Sequence, residues 1–108
     1  MKLDEVPGTN YKIFQDDNEF KYTSDALILS SFVKSGKKAL DLGCVNGILS
    51  LRICNRFDEV HAVDKNKNVL ESFKKSITFN KLEDKLNLLE ENIFNLKNYY
   101  ATNYFDAV

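Results

Sequence analysis

The segment from residue 39 to residue 49 constrains the fold most, because it combines a strand end, a glycine-bearing turn and a helix start. The apolar run at 38–42 predicts a strand, Gly43 and Gly47 predict a tight turn, and residues 48–55 predict a helix. The whole chain has only four glycines and one proline. A strand that runs through such a turn into a helix is the building unit of parallel α/β folds.

The segments after this turn continue the alternation of strands and helices. The remaining predicted elements are strands at 59–63 and 86–89, a helix at 67–80, a short helix at 93–100 and the start of a fourth strand at 104–108. We therefore expect a parallel sheet with flanking helices over residues 37–108.

The residues before the turn have a different pattern. Apolar residues alternate at 11–13 and again at 20–22, on either side of a polar stretch at 16–18, which predicts a β-hairpin. Thr23 or Ser24 can cap a helix that follows, and Gly36 can end it. Residues 1–36 are thus expected to form a short hairpin and a helix ahead of the sheet.

Composition limits the class of protein. The chain has 108 residues, 44% apolar and 29% charged, which fits one globular domain. Its net charge of −1 argues against a globally basic surface. No apolar run approaches the roughly 20 residues that cross a bilayer, and the N-terminus lacks the apolar core of a signal peptide. Two cysteines and one histidine do not make a usual zinc set. We expect a cytoplasmic protein without metal or membrane partners.

Several other side chains are interpreted as structural. Phe73, Ile77 and Phe79 are expected in the core, and His61 lies in a predicted strand with no evident partner. The lysines at 65, 67, 74 and 75 are typical of a solvated helix face, with RNA contact as the alternative.

Acidic residues near the glycine turn indicate the kind of ligand. Ligands of open α/β sheets bind beyond the carboxyl ends of the strands. Asp64 ends the second predicted strand, where an acid can accept hydrogen bonds from ribose hydroxyls. Asp41, just before the first glycine, would repel a pyrophosphate but suits a ligand with an ammonium and a sulfonium. These features favour S-adenosylmethionine as the ligand. The alternative is NAD, bound by a domain of the dehydrogenase type.

The run from Asp41 to Gly47, DLGCVNG, resembles the glycine-rich first motif of class I S-adenosylmethionine-dependent methyltransferases. Asp64 resembles that family's ribose-binding acid, and YFDAV at 104–108 resembles the strand that leads to its catalytic loop. The resemblance implies a Rossmann-like methyltransferase fold, incomplete in this chain, with S-adenosylmethionine as cofactor. The cofactor-binding residues that it implies are Asp41, Gly43, Gly47, Asp64, Lys65, Asn92, Ile93 and Thr23.

A second similarity suggests a substrate. Residues 20–29 are similar to the N-terminal segment of bacterial tRNA(Val) adenine-N6 methyltransferases, whose catalytic N-P-P-[YF] motif follows the fourth strand. This implies that tRNA is the RNA substrate and that the catalytic residues lie beyond Val108. An exposed last strand would allow self-association.

Val45 replaces the family's middle glycine, which predicts weakened cofactor affinity. The alternative is a truncated, non-catalytic cofactor-binding module or relic.

Overall fold

The computed structural model describes residues 2–15, 24–100 and 104–108. Five strands and three α-helices occupy these residues, together with two short 3₁₀ helices at Cys54–Arg56 and Ile93–Asn98. In chain order they are β1 (Lys2–Glu5), β2 (Lys12–Gln15), α1 (Ser24–Phe32), β3 (Gly36–Leu42), α2 (Ile48–Ile53), β4 (Phe57–Asp64), α3 (Lys67–Phe79) and β5 (Leu86–Glu90).

The central sheet is parallel, as the alternation of strands and helices predicts. Its described strands have the order β3-β4-β5, with Asp41 beside Ala62 and Val63 beside Leu89. Ala107 adds a single parallel bridge to Ala39, on the edge of β3 that faces away from β4. The predicted fourth strand is therefore represented by one bridge at the sheet edge.

One face of the sheet carries the apolar core. Side chains alternate between the two faces of a strand, and the residues of β3, β4 and β5 on this face are largely apolar and buried. Helices α2 and α3 pack over them, and α3 contributes Phe73, which is fully buried, and Ile77. The spacing of these two residues, one helical turn apart, is what predicted this helix.

The N-terminal hairpin includes a strand, β1, that the sequence did not predict. Strand β2 pairs antiparallel with β1, and the turn between them contains Pro7 and Gly8, whereas the predicted turn at 16–18 lies outside the described residues. Gly8 has a φ of 78°, and the amide of Val6 donates to the carbonyl of Tyr11 at 3.0 Å to close the loop. The predicted partner strand at 20–22 lies outside the described residues. Gly36 begins β3 instead of ending α1.

The hairpin is anchored to α3 by three hydrogen bonds. Asn80, at the end of α3, accepts from the amide of Lys12 at 2.9 Å and donates to its carbonyl at 2.6 Å. The amide of Phe14 donates to the hydroxyl of Ser76 at 2.8 Å. Strand β2 is therefore fixed along the C-terminal half of α3.

The turn between β3 and α2 has three residues in the left-handed region. Gly43, Val45 and Gly47 have φ values of 65°, 52° and 90°. A Cβ on Gly47 would lie 2.4 Å from the ring of Phe73, whereas a Cβ on Gly43 would have no neighbour within 4 Å. Gly47 is thus required both for its backbone conformation and for the packing of α3.

The two glycines provide a matched pair of substitutions. We expect Gly43→Ala to lower the free energy of unfolding by about 1 kcal/mol, the cost of a Cβ in the left-handed region. Gly47→Ala should lower it by about 3 kcal/mol, since overpacking against Phe73 adds to that cost. Urea unfolding of both variants measures the difference. Equal losses would show that the close approach to Phe73 does not contribute.

Candidate functional site

A cavity of about 360 Å³ lies at the carboxyl ends of β4 and β5, beside the glycine turn. It contains five of the eight cofactor-binding residues that the sequence predicts. Its lining residues are Gly43, Val63, Asp64, Lys65, Glu91, Asn92, Ile93 and Phe94. The volume is within the range of about 300–1,000 Å³ that small-molecule sites occupy. A larger cavity between β2 and α3 shares none of these residues, so chemistry rather than size identifies the candidate site.

The first wall of this cavity is the exposed backbone of Gly43. The absence of any atom within 4 Å of a Cβ built on this residue shows that its Cα faces open space. The amides of Gly43 and Cys44 both donate to the carbonyl of Val63, at 2.8 and 3.1 Å. The turn is therefore tied to the end of β4, and a ligand can approach its backbone closely.

Asp64 connects the turn to the next helix. One carboxylate oxygen accepts from the amide of Val45 at 3.1 Å, and the other accepts from the amide of Asn66 at 2.9 Å. Asn66 in turn caps α3 by accepting from the amide of Asn68. Because each carboxylate oxygen has two lone pairs, both can also accept a ligand hydroxyl. Asp64 thus lines the cavity with acceptor capacity to spare, and its ribose contact stays a prediction.

The opposite wall follows β5. Asn92 caps the 3₁₀ helix by accepting from the amide of Phe94 at 3.0 Å. The Glu91 carboxylate accepts from the Asn95 side chain, from the amide of Asn92 and from the Tyr99 hydroxyl, which together hold the pKa of Glu91 below its usual value. Glu91 therefore adds a negative charge to this wall. The sequence signal that places Glu91 at the wall is its position directly after β5.

Exposed apolar side chains and one cation complete the rim. Ile93 is 52% exposed and Phe94 is 81% exposed. Lys65, which follows Asp64, lines the cavity from the other side and is also exposed. A flat apolar ring can contact Ile93 while a polar edge of the same ligand faces Asn92.

Asp41 and Gly47 do not line this cavity. Asp41 is buried, accepts a hydrogen bond from the Ser50 hydroxyl at 2.6 Å, and borders a separate cavity of about 70 Å³ next to Leu49 and Ala107. Burial, with a smaller contribution from the charge of Asp64, raises the pKa of Asp41 to about 6, although the hydrogen bond from Ser50 acts in the opposite direction. Thr23 lies outside the described residues.

His61 has partners that the sequence did not reveal, so the expectation that it lacks them is wrong. Its ring nitrogens lie 3.1 Å from a carboxylate oxygen of Glu59 and 3.0 Å from the Tyr100 hydroxyl. Tyr104 and Phe105 pack edge-on against the imidazole. These contacts lie on the sheet face opposite α2 and α3, and they hold the C-terminal segment against β4.

Two further findings concern the part of the chain that the structure describes. There, no group of three His, Cys, Asp or Glu side chains could hold a metal ion. None of the helices in the same residues has the length and apolarity needed to cross a bilayer.

The strain at Val45 can be measured with two variants. At an ordinary loop position, alanine is more stable than glycine by about 0.4–1 kcal/mol. The φ of 52° at Val45 should reverse this order, because glycine alone tolerates the left-handed region without steric cost. We expect Val45→Gly to exceed Val45→Ala in free energy of unfolding by about 1 kcal/mol in urea titrations. An alanine variant as stable as the glycine variant would exclude strain at this position.

The raised pKa of Asp41 predicts a pH dependence of stability. An aspartate whose pKa rises on folding stabilises the fold below its unfolded value of 3.8, and that contribution is lost as the pH rises through about 6. Relative to Asp41→Asn, the wild-type chain should lose on the order of 3 kcal/mol of unfolding free energy between about pH 4 and pH 7. Urea unfolding across this range checks the prediction. A pH-independent difference between the two proteins would contradict it.

Comparisons with known proteins agree with this architecture. The sequence model of the methyltransferase small domain matches residues 13–108. No sequence among curated proteins matches the chain significantly.

Solved structures share the fold at low sequence identity. TrmK from M. capricolum, in complex with S-adenosyl-homocysteine, is 14% identical with a TM-score of 0.66 over 71% of this chain and 35% of that chain. Trm5 from Methanocaldococcus jannaschii, in complex with adenosine, is 23% identical with a TM-score of 0.64 over 81% and 28%. A Pyrococcus horikoshii protein assigned as a transferase is 19% identical with a TM-score of 0.72 over 96% and 40%.

The chain spans less than half the length of these solved structures. Likeness at such identities shows the fold, which is the Rossmann-like methyltransferase fold expected from the sequence. The family match, in contrast, covers most of the chain. It confirms the resemblance to S-adenosylmethionine-dependent methyltransferases, and the chain belongs to the methyltransferase small domain family.

Proposed function

We propose that this chain forms the cofactor-binding part of an S-adenosylmethionine-dependent methyltransferase that acts on RNA. The observation that carries the proposal is the cavity at the strand ends, where the open backbone of Gly43 faces Asp64 and Asn92. The residues fit the cofactor: a carboxylate for ribose hydroxyls, an amide and an apolar side chain for the adenine, and a glycine for close approach. Bound S-adenosylmethionine supplies a methyl group on an electrophilic sulfonium.

Each residue has a proposed task. Asp64 accepts hydrogen bonds from the ribose hydroxyls, Asn92 and Ile93 contact the adenine, and Lys65 borders the entrance of the cavity. Asp41 borders a separate small cavity; its proposed task is to face the methionine end of the ligand, where a cation favours the ionised carboxylate. Gly47 acts indirectly, because it allows the turn to pack on α3, and Thr23 is proposed to lie near the cofactor.

The methyl acceptor is proposed from similarity. Residues 20–29 are similar to tRNA(Val) adenine-N6 methyltransferases, and the solved structures that share the fold include tRNA and rRNA methylases. We propose an adenine amine of tRNA as the acceptor, with the catalytic residues on a segment after Val108. Self-association through the last strand is part of the same proposal. A non-catalytic cofactor-binding module is the second candidate, which the left-handed Val45 favours.

Calorimetric titration tests the cofactor proposal. We expect one equivalent of S-adenosyl-homocysteine to bind the folded chain, with NADH as a ligand that does not bind. Asp64→Asn should weaken binding about 10-fold or more, because it removes one charged acceptor from the ribose contact. The absence of S-adenosyl-homocysteine binding by a folded chain would overturn the proposal.

A pair of nucleosides separates ribose recognition from an effect on the turn, since Asp64 also holds Val45 and Asn66. Adenosine should bind the wild type better than Asp64→Asn, whereas 2′,3′-dideoxyadenosine should bind both proteins equally. If the variant lost affinity for both nucleosides to the same extent, Asp64 would act only by supporting the turn.

A further inference from the structure

A second cavity, of about 510 Å³, lies between β2 and the C-terminal half of α3. We call it the aromatic groove. Its lining residues are Phe14, Glu71, Lys74, Lys75, Thr78 and Phe79. The cofactor proposal uses none of them, and the groove shares no residue with the strand-end cavity.

The two aromatic rings of the groove face outward from their elements. Along β2, Ile13 and Gln15 are buried while Phe14 points to the opposite side. Along α3, Phe79 lies outside the buried stripe and is 51% exposed. The rings of Phe14 and Phe79 meet edge to face with their centroids 5.8 Å apart. Two aromatic side chains therefore occupy solvent-facing positions where polar residues are usual.

The rim of the groove carries available positive charge. Neither Lys74 nor Lys75 forms an ion pair or hydrogen bond within the described residues, although Glu71 lies one turn away on the same helix. Helix α3 as a whole contains three lysines and one glutamate. Clustered apolar surface with a cationic rim matches a ligand that combines flat rings with negative charge.

The groove is also held in shape before any ligand arrives. The hydrogen bond from the Phe14 amide to Ser76, and the pair between Lys12 and Asn80, fix β2 against α3. A site whose walls are already positioned loses little conformational entropy on binding.

We propose that the aromatic groove binds single-stranded RNA, with a base stacked on Phe79 and adjacent phosphates on Lys74 and Lys75. Base stacking on aromatic rings and lysine contacts to the backbone are the usual means of binding unpaired RNA. The choice of RNA rests on the proposed function, whereas the groove itself does not. Helix α3 begins next to the cofactor cavity and is about 20 Å long, so one RNA can contact both sites.

Fluorescence anisotropy with a labelled RNA dodecamer of alternating cytidine and adenosine tests this site in the full chain. Phe79→Leu keeps an apolar side chain but removes the ring, and should weaken binding about 5-fold or more. Phe32→Leu is the matched control, because Phe32 is an exposed aromatic residue on α1, and should change binding less than 2-fold. Thermal melting of both variants confirms that they fold.

The lysines have a separate readout in salt dependence. The double variant Lys74→Gln/Lys75→Gln should reduce the slope of log K against log salt by about 1.4, since each phosphate contact to a single strand contributes about 0.7. Lys34→Gln, which changes an exposed lysine outside the groove, should leave the slope unchanged.

Three results would overturn the proposal. The first is a folded wild-type chain that does not bind the dodecamer. The second is an affinity for the dodecamer that is the same in both groove variants as in the wild type. The third is self-association, measured by sedimentation, that Phe79→Leu abolishes without changing RNA binding, since the occupant would then be a second copy of the chain. Calorimetry with S-adenosyl-homocysteine keeps the two proposals distinct: failure of that ligand to bind, with RNA binding intact, overturns the cofactor proposal alone.

Discussion

The close approach of Gly47 to Phe73 is the contact on which the rest of the structure depends. Phe73 is fully buried at the centre of α3, and its ring occupies the space where any other residue at position 47 would place a Cβ. This contact brings the start of α2 against α3, and with it the turn that follows β3. The Asp64 carboxylate can then accept a hydrogen bond from the amide of Val45, across the gap between the two strand ends. A packing contact in the core thus shapes the polar site above it.

The three left-handed residues of the turn have different reasons for that conformation. Gly43 opens the backbone toward the cavity, and Gly47 admits the ring of Phe73. Val45 lies between them, where the same backbone path requires a positive φ that a β-branched residue tolerates poorly. Its amide is held by Asp64, so the surrounding hydrogen bonds maintain the strained conformation. A strained backbone conformation persists where the surrounding contacts hold it in place, and such residues are often found at ligand sites.

Much of the sheet could be predicted because its signals are local. The spacing of Phe73 and Ile77 identified α3, and the carboxyl ends of parallel strands necessarily share one edge, which brings Gly43, Asp64 and Asn92 to one cavity. Strand β1 escaped prediction because its KLDE sequence is mostly charged, and its pairing depends on a turn at Gly8. The outward position of Phe79 and the partners of His61 depend on tertiary contacts. Hydrophobicity alone assigned Phe79 to the core, although it lies two residues after Ile77, the last buried residue of α3.

Asp41 in β3 and Asp64 at the end of β4 show how the same residue type acquires two environments beside one turn. Asp64 is half-exposed and accepts hydrogen bonds from backbone amides. Asp41 is buried, and burial raises the pKa of Asp41 to about 6 against the lowering effect of its hydrogen bond from Ser50. At neutral pH, Asp41 is therefore an ionised carboxylate that destabilises the unliganded fold. A ligand that places a cation beside it would offset this cost. In the proposed function, the ionised Asp41 carboxylate lowers the stability of the free protein, and the cationic cofactor stabilises the same carboxylate. Ligand binding and folding are therefore coupled.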